Sequence, residues 1–368
     1  MRLRRKHIRR RKRRNGWLWT LLLFSTATLV LTVGFYGATI HSSVPEPTGD
    51  RASIRFPVYS VKWNSSLNDT AIGLVFGIEH GFFDRAGLTI SAIDGTSDED
   101  TAAAVASNDR LIGQISASGF LRARSLGSKI VAFAASQIVN SVEIYSLPGK
   151  PIALPRDLTG KIIGYAPSTD CGPILEAIIR RHALPRSELK VTQEEDLASR
   201  LLRGDADVIV GKWEKEGRDL KEAGIRFRTT SPDALGIHVP GSVYIASENM
   251  IATHPEIGER FLRGLFAAWD AAYQDFNVLV GIGDQRVLPD RNPVRVAETM
   301  EQLRPFLRPL GTRMGELDLA RLRDLQSLLL SQRLMAKSLD FNAAANFTLV
   351  QETYRERQKL LDESSRRD

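Results

Sequence analysis

The sequence predicts an α/β protein built as two lobes. Strand-like apolar runs alternate with helix-like amphipathic runs from about Ile54 to Asp275, the pattern of sheets layered with helices. A chain of 368 residues can bury more than one core, which favours two lobes over one. The third observation is local. Gly77-Ile-Glu-His-Gly-Phe-Phe-Asp-Arg-Ala-Gly-Leu-Thr-Ile90 reads as a helix end, a tight turn and a strand start. His80-Gly81 closes the helix because glycine reaches the left-handed conformation cheaply. Phe82 and Phe83 bury in the turn, Ala86-Gly87 turns again, and Leu88 and Ile90 alternate inward.

The elements follow in order. Residues 1–16 carry ten Lys or Arg and no acid. The net charge of +7 comes from this tail, since without it 40 basic face 43 acidic side chains, or −3. The basic balance therefore describes a tail and not a nucleic-acid-binding surface. Residues 17–40, Trp17 to Ile40, are 24 residues without a charge. As a helix they would run about 36 Å, enough for a hydrocarbon core of about 30 Å. The basic flank places the N-terminus in the cytoplasm, and Trp17 and Trp19 sit at interfacial positions. The span is long for a cleaved signal, and Tyr36-Gly37-Ala38 is a poor cleavage site. An uncleaved anchor is favoured over a cleaved signal, and either puts residues 41 onward outside the cytoplasm. No cysteine follows the span, which excludes a lipid-anchored lipoprotein. Cys171 is the only cysteine, so no intrachain disulfide forms, and it reads as a small packing residue rather than a reactive thiol.

Residues 41–52 form a linker with two prolines and no periodicity. Residues 53–147 form the first part of lobe I. Its strands are expected at Ile54–Val61, Thr89–Ile93, Leu111–Ser116, Lys129–Ala135 and Val142–Leu147. Its helices are expected at Asp69–His80, Ser97–Asn108 and Ser118–Ser125, with Asn68 or Asp69 and Ser97 as caps. Residues 148–240 form lobe II. After the loop Pro148–Pro155, strands are expected at Lys161–Tyr165, Lys190–Thr192 and Ala206–Val210, with helices at Ile174–His182 and Leu197–Arg203. Residues 241–368 return to lobe I through a strand at Val243–Ala246. A long amphipathic helix follows at Glu256–Asp275, and the remainder is mainly helical.

Several stretches are similar to one known family. The opening segment resembles "A-x-x-x-G-F-F-x-x-x-G-L-x-(V/I)". Asp157-Leu-Thr-Gly-Lys-Ile-Ile-Gly164 resembles its "D-L-x-G-K" opening of the second lobe, and Leu201-Leu-Arg-Gly-Asp-Ala-Asp-Val208 its "L-x-x-G-x-V-D-A". Gly95-Thr-Ser with Ala102–Ala106 and Ile112-Gly-Gln114 resembles a further helix–strand unit, although Ser107–Arg110 replace its usual glycine and acid. The family is the ABC-transporter substrate-binding proteins, in the group that captures nitrate, sulfonates, taurine and thiamine-type pyrimidine precursors. The resemblance implies a type II periplasmic binding protein with an interlobe cleft, here preceded by an N-terminal transmembrane helix. It implies solute capture by closure about hinges near Pro148–Pro155 and Ile237–Val243. The partners implied are a small-molecule solute, an ABC permease with its ATPase, and the membrane through residues 17–40, with a monomeric ectodomain in the periplasm or cell exterior. No cofactor and no nucleic acid are expected.

Candidate ligand contacts lie where strands end and helices begin, since free N–H groups and the helix dipole favour anionic or strongly polar groups. These are Ser116 and Ser118 in one lobe and Ser168, Thr169 and Asp170 in the other, although Asp170 alone would serve as an ordinary cap. In the pyrimidine branch a tryptophan followed by an asparagine-containing turn stacks on the ligand, which the resemblance carries to Trp63 and Asn64. The branch's usual spacing is broken here. Trp213 offers an opposite aromatic jaw, Lys212 a partner for a sulfonate or carboxylate, and Asn140 a contact near the crossing. Glu143 reads as a surface or hinge residue. The tryptophans suit a flat heterocycle, while Ser116, Ser168, Thr169 and Lys212 suit an anion. The six histidines lack metal-ligand spacing, and there is no nucleophile elbow, P-loop or cysteine- and histidine-rich motif, so an enzyme is not expected. The alternative from another class is a membrane-anchored sensor or scaffold that keeps the fold without transport.

Overall fold

A computed structural model of the chain describes residues 57–64, 70–167, 170–285, 287–288 and 291–364. The basic tail, the apolar span of residues 17–40 and the linker lie outside the described residues. Among the described residues no helix is long and apolar enough to cross a membrane.

The first lobe opens with β1 (Val58–Asn64), α1 (Ile72–Glu79), α2 (Phe82–Arg85), β2 (Thr89–Gly95), α3 (Asp98–Ala106), β3 (Leu111–Ser116), α4 (Ala117–Ser125) and β4 (Ile130–Gln137). The second follows with β5 (Val142–Ser146), β6 (Ile162–Tyr165), α5 (Cys171–Arg181), β7 (Lys190–Gln193), α6 (Leu197–Arg203), β8 (Val208–Lys212), α7 (Arg218–Glu222) and β9 (Arg228–Thr230). The chain then returns with β10 (Ser242–Ser247) and the helices α8 (Glu248–Thr253), α9 (Pro255–Gln274), α10 (Pro293–Leu307), α11 (Leu319–Ser331), α12 (Phe341–Ala344) and α13 (Leu349–Ser364). Two five-stranded sheets result, ordered β2-β1-β3-β10-β4 and β7-β6-β8-β5-β9. In the first, β1 runs parallel to β2 and β3, and β10 antiparallel to β3 and β4. In the second, β6 runs parallel to β7 and β8, and β5 antiparallel to β8.

One expected boundary moves. The sequence puts Val142–Leu147 in lobe I, with lobe II starting at residue 148. The strand it forms, β5, pairs with β8 in the second sheet, so the chain crosses between lobes at residues 138–141. Pro148–Pro155 lies within lobe II and not at the crossing. An apolar run carries the strand period but no address, so either sheet satisfies it. The returning crossing, at Val239–Gly241, falls inside the expected Ile237–Val243 stretch.

The glycine–phenylalanine turn works as a wedge. Gly81 takes φ +67 between α1 and α2, and the turn is itself a short helix. Phe83 is buried while Phe82 is only half-buried. The Phe83 ring fills the space left by two glycines. A Cβ at Gly77 on α1 or at Gly264 on α9 would come within 2.8 or 2.6 Å of that ring. Phe83 also stacks on Phe261 at 5.5 Å between centroids. The amphipathic face of α9 therefore closes lobe I over an element far earlier in sequence, burying Phe261, Leu265, Ala268 and Ala272.

Helix α11 ties the lobes together from outside. Its buried face (Leu322, Leu325, Leu328, Leu329) packs on α4 of lobe I and α5 of lobe II. Arg321 makes a two-pronged contact with Asp233 near the end of lobe II, at 2.9 and 2.5 Å, the strong geometry for a guanidinium and a carboxylate. Arg180 donates to the Ser331 carbonyl and Gln332 to the Pro173 carbonyl.

Glu143 is no surface residue: it lies in β5 with 8% of its area exposed. Burial pushes its carboxyl up from 4.5 to about 7, with Asp233 adding to the effect. A carboxyl whose folded pKa is raised holds its proton more tightly folded than unfolded. The stability linked to it is thus present below about pH 4.5 and is lost as pH rises through about 7. Glu143→Gln should stabilise the chain by about 2–3 kcal/mol at pH 8 and by little at pH 4.5, as read from urea unfolding at the two pH values. An equal effect at both would mean that Glu143 does not titrate in this range.

Candidate functional site

The site is built around the two crossing segments, where the chain leaves one sheet and has not yet joined the other. Their backbones pair with each other: Gly241 N–H donates to the Gln137 carbonyl at 3.0 Å and Asn140 N–H to the Val239 carbonyl at 3.2 Å. Side chains then fill the remaining needs. Asn140 Nδ2 donates to Asp170 Oδ2 at 3.1 Å and to the Pro240 carbonyl at 3.3 Å, and its Oδ1 accepts from Val142 N–H at 3.0 Å. Ser136 and Ser242 pair through their hydroxyls at 2.6 Å.

Lobe I supplies a helix start. Ser116 caps α4 by accepting from Gly119 N–H at 2.9 Å, and its hydroxyl donates to Asp98 Oδ2. Asp98, at the start of α3, also accepts from Ser116 N–H at 3.2 Å. This approach needs a glycine at 119, where a Cβ would sit 2.2 Å from the Asp98 carboxylate. Ser118, 3.1 Å from Ser116 between hydroxyls, points across the interface and donates to Asp170 Oδ1 at 2.5 Å.

Lobe II supplies the carboxylate and the cation. Asp170 occupies the cap position of α5, yet its side chain makes no cap bond; it reaches to the other lobe instead. It is 5% exposed. Lys212, at the end of β8, places Nζ 3.5 Å from Asp170 Oδ2. Burial works against the Lys212 charge, but Asp170, followed by Glu214, outweighs it and holds the ammonium above the usual lysine range. Beyond Lys212 the chain winds into a π-helical turn, Trp213–Gly217. Glu214 accepts from Gln137 Nε2 at 3.0 Å and from Ser141 Oγ at 2.6 Å, so it ties this turn to the first crossing. Glu216 accepts from Lys212 N–H at 2.8 Å. Burial pushes its carboxyl up.

The structure brings together Ser116, Ser118, Asn140, Asp170 and Lys212 as one buried polar network spanning both lobes. It does not bring the two tryptophans together. Trp63 is 1% exposed and packs in the lobe I core with Tyr59 and Val61, so the expected stacking jaw is a core residue. The strand alternation simply continues two residues past where it was expected to end. Trp213 is half-buried, packs against both cores and lies 6.3 Å from Phe227 between ring centroids. It lines a cavity of about 430 Å³ with Glu214 and Arg218 of lobe II and Leu288, Arg295 and Leu303 of lobe I. Asn64 closes β1, but its side chain, with Ser168 and Thr169, lies outside the described residues. Cys171 is buried in the core. No group of His, Cys, Asp and Glu suited to a metal ion occurs among the described residues. Sequence reasoning missed Asp98, which directly follows the Ser97 cap, and Glu214, whose one signal was its place beside Lys212 and Trp213.

Two α/β lobes joined by two crossing segments, with a polar network between them, define the cleft architecture of two-lobed binding proteins. Residues 68–276 match the NMT1/THI5-like family, and the chain belongs to it. No curated protein sequence matches the chain. Among solved structures, the periplasmic aliphatic sulphonate-binding protein SsuA from Escherichia coli is similar at 14% identity, with 80% of this chain and 98% of that one covered and a TM-score of 0.64. A periplasmic sulfonate-binding protein SsuA from Methylobacillus flagellatus KT is similar at 13% identity, with 82% and 94% covered and a TM-score of 0.61. The desulfurization enzyme DszB with biphenyl-2-sulfinic acid is similar at 14% identity, with 82% and 100% covered and a TM-score of 0.58. These likenesses show the two-lobed fold, and the family match places the chain in the group that its motifs resemble.

Removing Asn140 would break its bonds to three partners at once, Asp170, the Pro240 carbonyl and the Val142 N–H. Asn140→Ala should cost about 2–4 kcal/mol in denaturant unfolding. A loss under 0.5 kcal/mol would show that water replaces the amide and that the crossing does not depend on it.

Proposed function

We propose that this chain is the extracytoplasmic solute-binding component of an ABC importer, held at the cytoplasmic membrane by residues 17–40. It would hand a small polar solute to a permease driven by its ATPase. The observation that carries this reading is the network centred on Asp170, in which side chains from both lobes and from a crossing segment converge. A ligand that bridges two lobes favours the closed arrangement by its differential affinity, and the crossing segments are where closure would hinge. Binding is the role this supports: the network's carboxylates, hydroxyls, amide and ammonium are satisfied by one another.

Of the solute classes expected for this group, a flat nitrogen heterocycle of the thiamine-pyrimidine type fits better than a sulfonate, taurine or nitrate. Trp213 lines the interlobe cavity, and aromatic faces hold flat rings. Glu214 beside it accepts hydrogen bonds, as an exocyclic amine requires. One feature favours the second reading, a sensor or scaffold without transport: α11 packs on both lobes, so opening has to break its contacts. Co-purification with a permease separates the two.

The test is thermal unfolding of the full chain in detergent against hydroxymethylpyrimidine, thiamine, taurine, propanesulfonate and nitrate. A ligand at a hundred times its Kd stabilises by about 2.7 kcal/mol. A shift with the pyrimidines is expected. A shift with the sulfonates alone would return the site to the anion class, and none with any solute would remove the transport reading. If the ligand is aromatic, Trp213→Ala should weaken it at least tenfold, about 1.4 kcal/mol, by calorimetry; unchanged affinity would take Trp213 out of the site.

A further inference from the structure

We propose that Asp170 is a built-in anion: its carboxylate fills the receptor between the lobes and turns this site away from sulfonates, carboxylates and nitrate. The inference rests on reading the interlobe cleft as the place where solute binds.

Three donors from three separate elements converge on this carboxylate. Ser118, in the first turn of the nine-residue helix α4, donates at 2.5 Å. Asn140, on the crossing segment, donates at 3.1 Å. The Lys212 ammonium, from the end of β8, stands at 3.5 Å. A hydroxyl at a helix start, an amide and an ammonium are together what a free anion would require. Here the anion is covalently part of lobe II and is almost wholly buried. Its geometry is not that of a cap, since it makes no bond to its own helix.

The surroundings reinforce the exclusion. A second anion would find the Lys212 charge already matched. It would also face Asp98, held by Ser116, and Glu214, held by Gln137 and Ser141. Like charges brought close in a site shielded from water repel strongly. A tethered carboxylate also has an effective concentration that a dilute solute has to overcome.

The experiment is calorimetric titration of the full chain with propanesulfonate and with nitrate at fixed ionic strength, for the wild type, Asp170→Ala and Asp170→Ala combined with Lys212→Met. The wild type is expected to bind neither anion below 10 mM. Asp170→Ala should gain affinity at least tenfold, and the added Lys212→Met should abolish the gain. A circular dichroism spectrum matching the wild type establishes that each variant is folded. A folded Asp170→Ala that gains nothing overturns the proposal. If Asp170→Ala does not fold, the wild type decides. Submillimolar propanesulfonate binding that Lys212→Met removes would show the receptor open to anions and overturn it, whereas no anion binding with Asp170→Asn gaining it would support it. The two readings fail separately. A wild type that binds hydroxymethylpyrimidine with a folded Asp170→Ala that gains no anion removes only this proposal. A wild type that binds no solute with an Asp170→Ala that gains anions removes only the transport reading.

Discussion

A chain that passes twice between two sheets has to satisfy its backbone where no sheet is available. Buried N–H and C=O groups without partners cost about 1–3 kcal/mol each, so both crossings are dense with polar contacts. They pair with each other first, through Gly241 with Gln137 and Asn140 with Val239. Asn140 then takes the Pro240 carbonyl and the Val142 N–H, while Ser136 pairs with Ser242 and Glu214 with Ser141 beside the crossings. The polar character of the interlobe site follows from this need. Asn140, which meets part of the backbone's requirement, also presents a donor to Asp170.

Much of the frame was legible because it depends on local signals. The left-handed glycine at 81, the cap at Ser97, the αL glycine at 204 after α6 and the periodicity of α9 are each set by a few neighbouring residues. The positions of β3 and α6 agree with expectation to the residue. The placement of β5 was not legible, because sheet membership is a long-range choice between two equally apolar partners. The short β9 and the π-helical turn after β8 carry no periodicity long enough to read.

The candidate site was legible in its positions and less so in its chemistry. Strand ends and helix starts point to Ser116, Ser118, Asp170 and Lys212, and the structure brings these four together, because N-terminal helix turns and strand ends need polar residues wherever they occur. What these residues bind was hidden. Asp170 looks like a cap by sequence, and its true partners are Ser118 and Asn140, one in the other lobe and one on the crossing. Trp63 misled in the opposite sense. An aromatic residue after a strand suggests a ligand platform, but Tyr59, Val61 and Trp63 share one buried face, and the period-two pattern outranks the residue type.

The wedge of Phe83 between Gly77 and Gly264 also bears on the order in which the molecule can be made. Every strand of the second sheet comes from one uninterrupted stretch of chain, residues 142–230, so that lobe can assemble as soon as its own residues emerge. The first sheet lacks β10, and the wedge lacks its far wall, until α9 has been synthesised. Lobe I thus carries an open apolar face for as long as lobe II takes to appear, and its contacts are the long-range ones that slow folding. During synthesis, the earlier-made half of the molecule is therefore the half that most needs shielding from its neighbours.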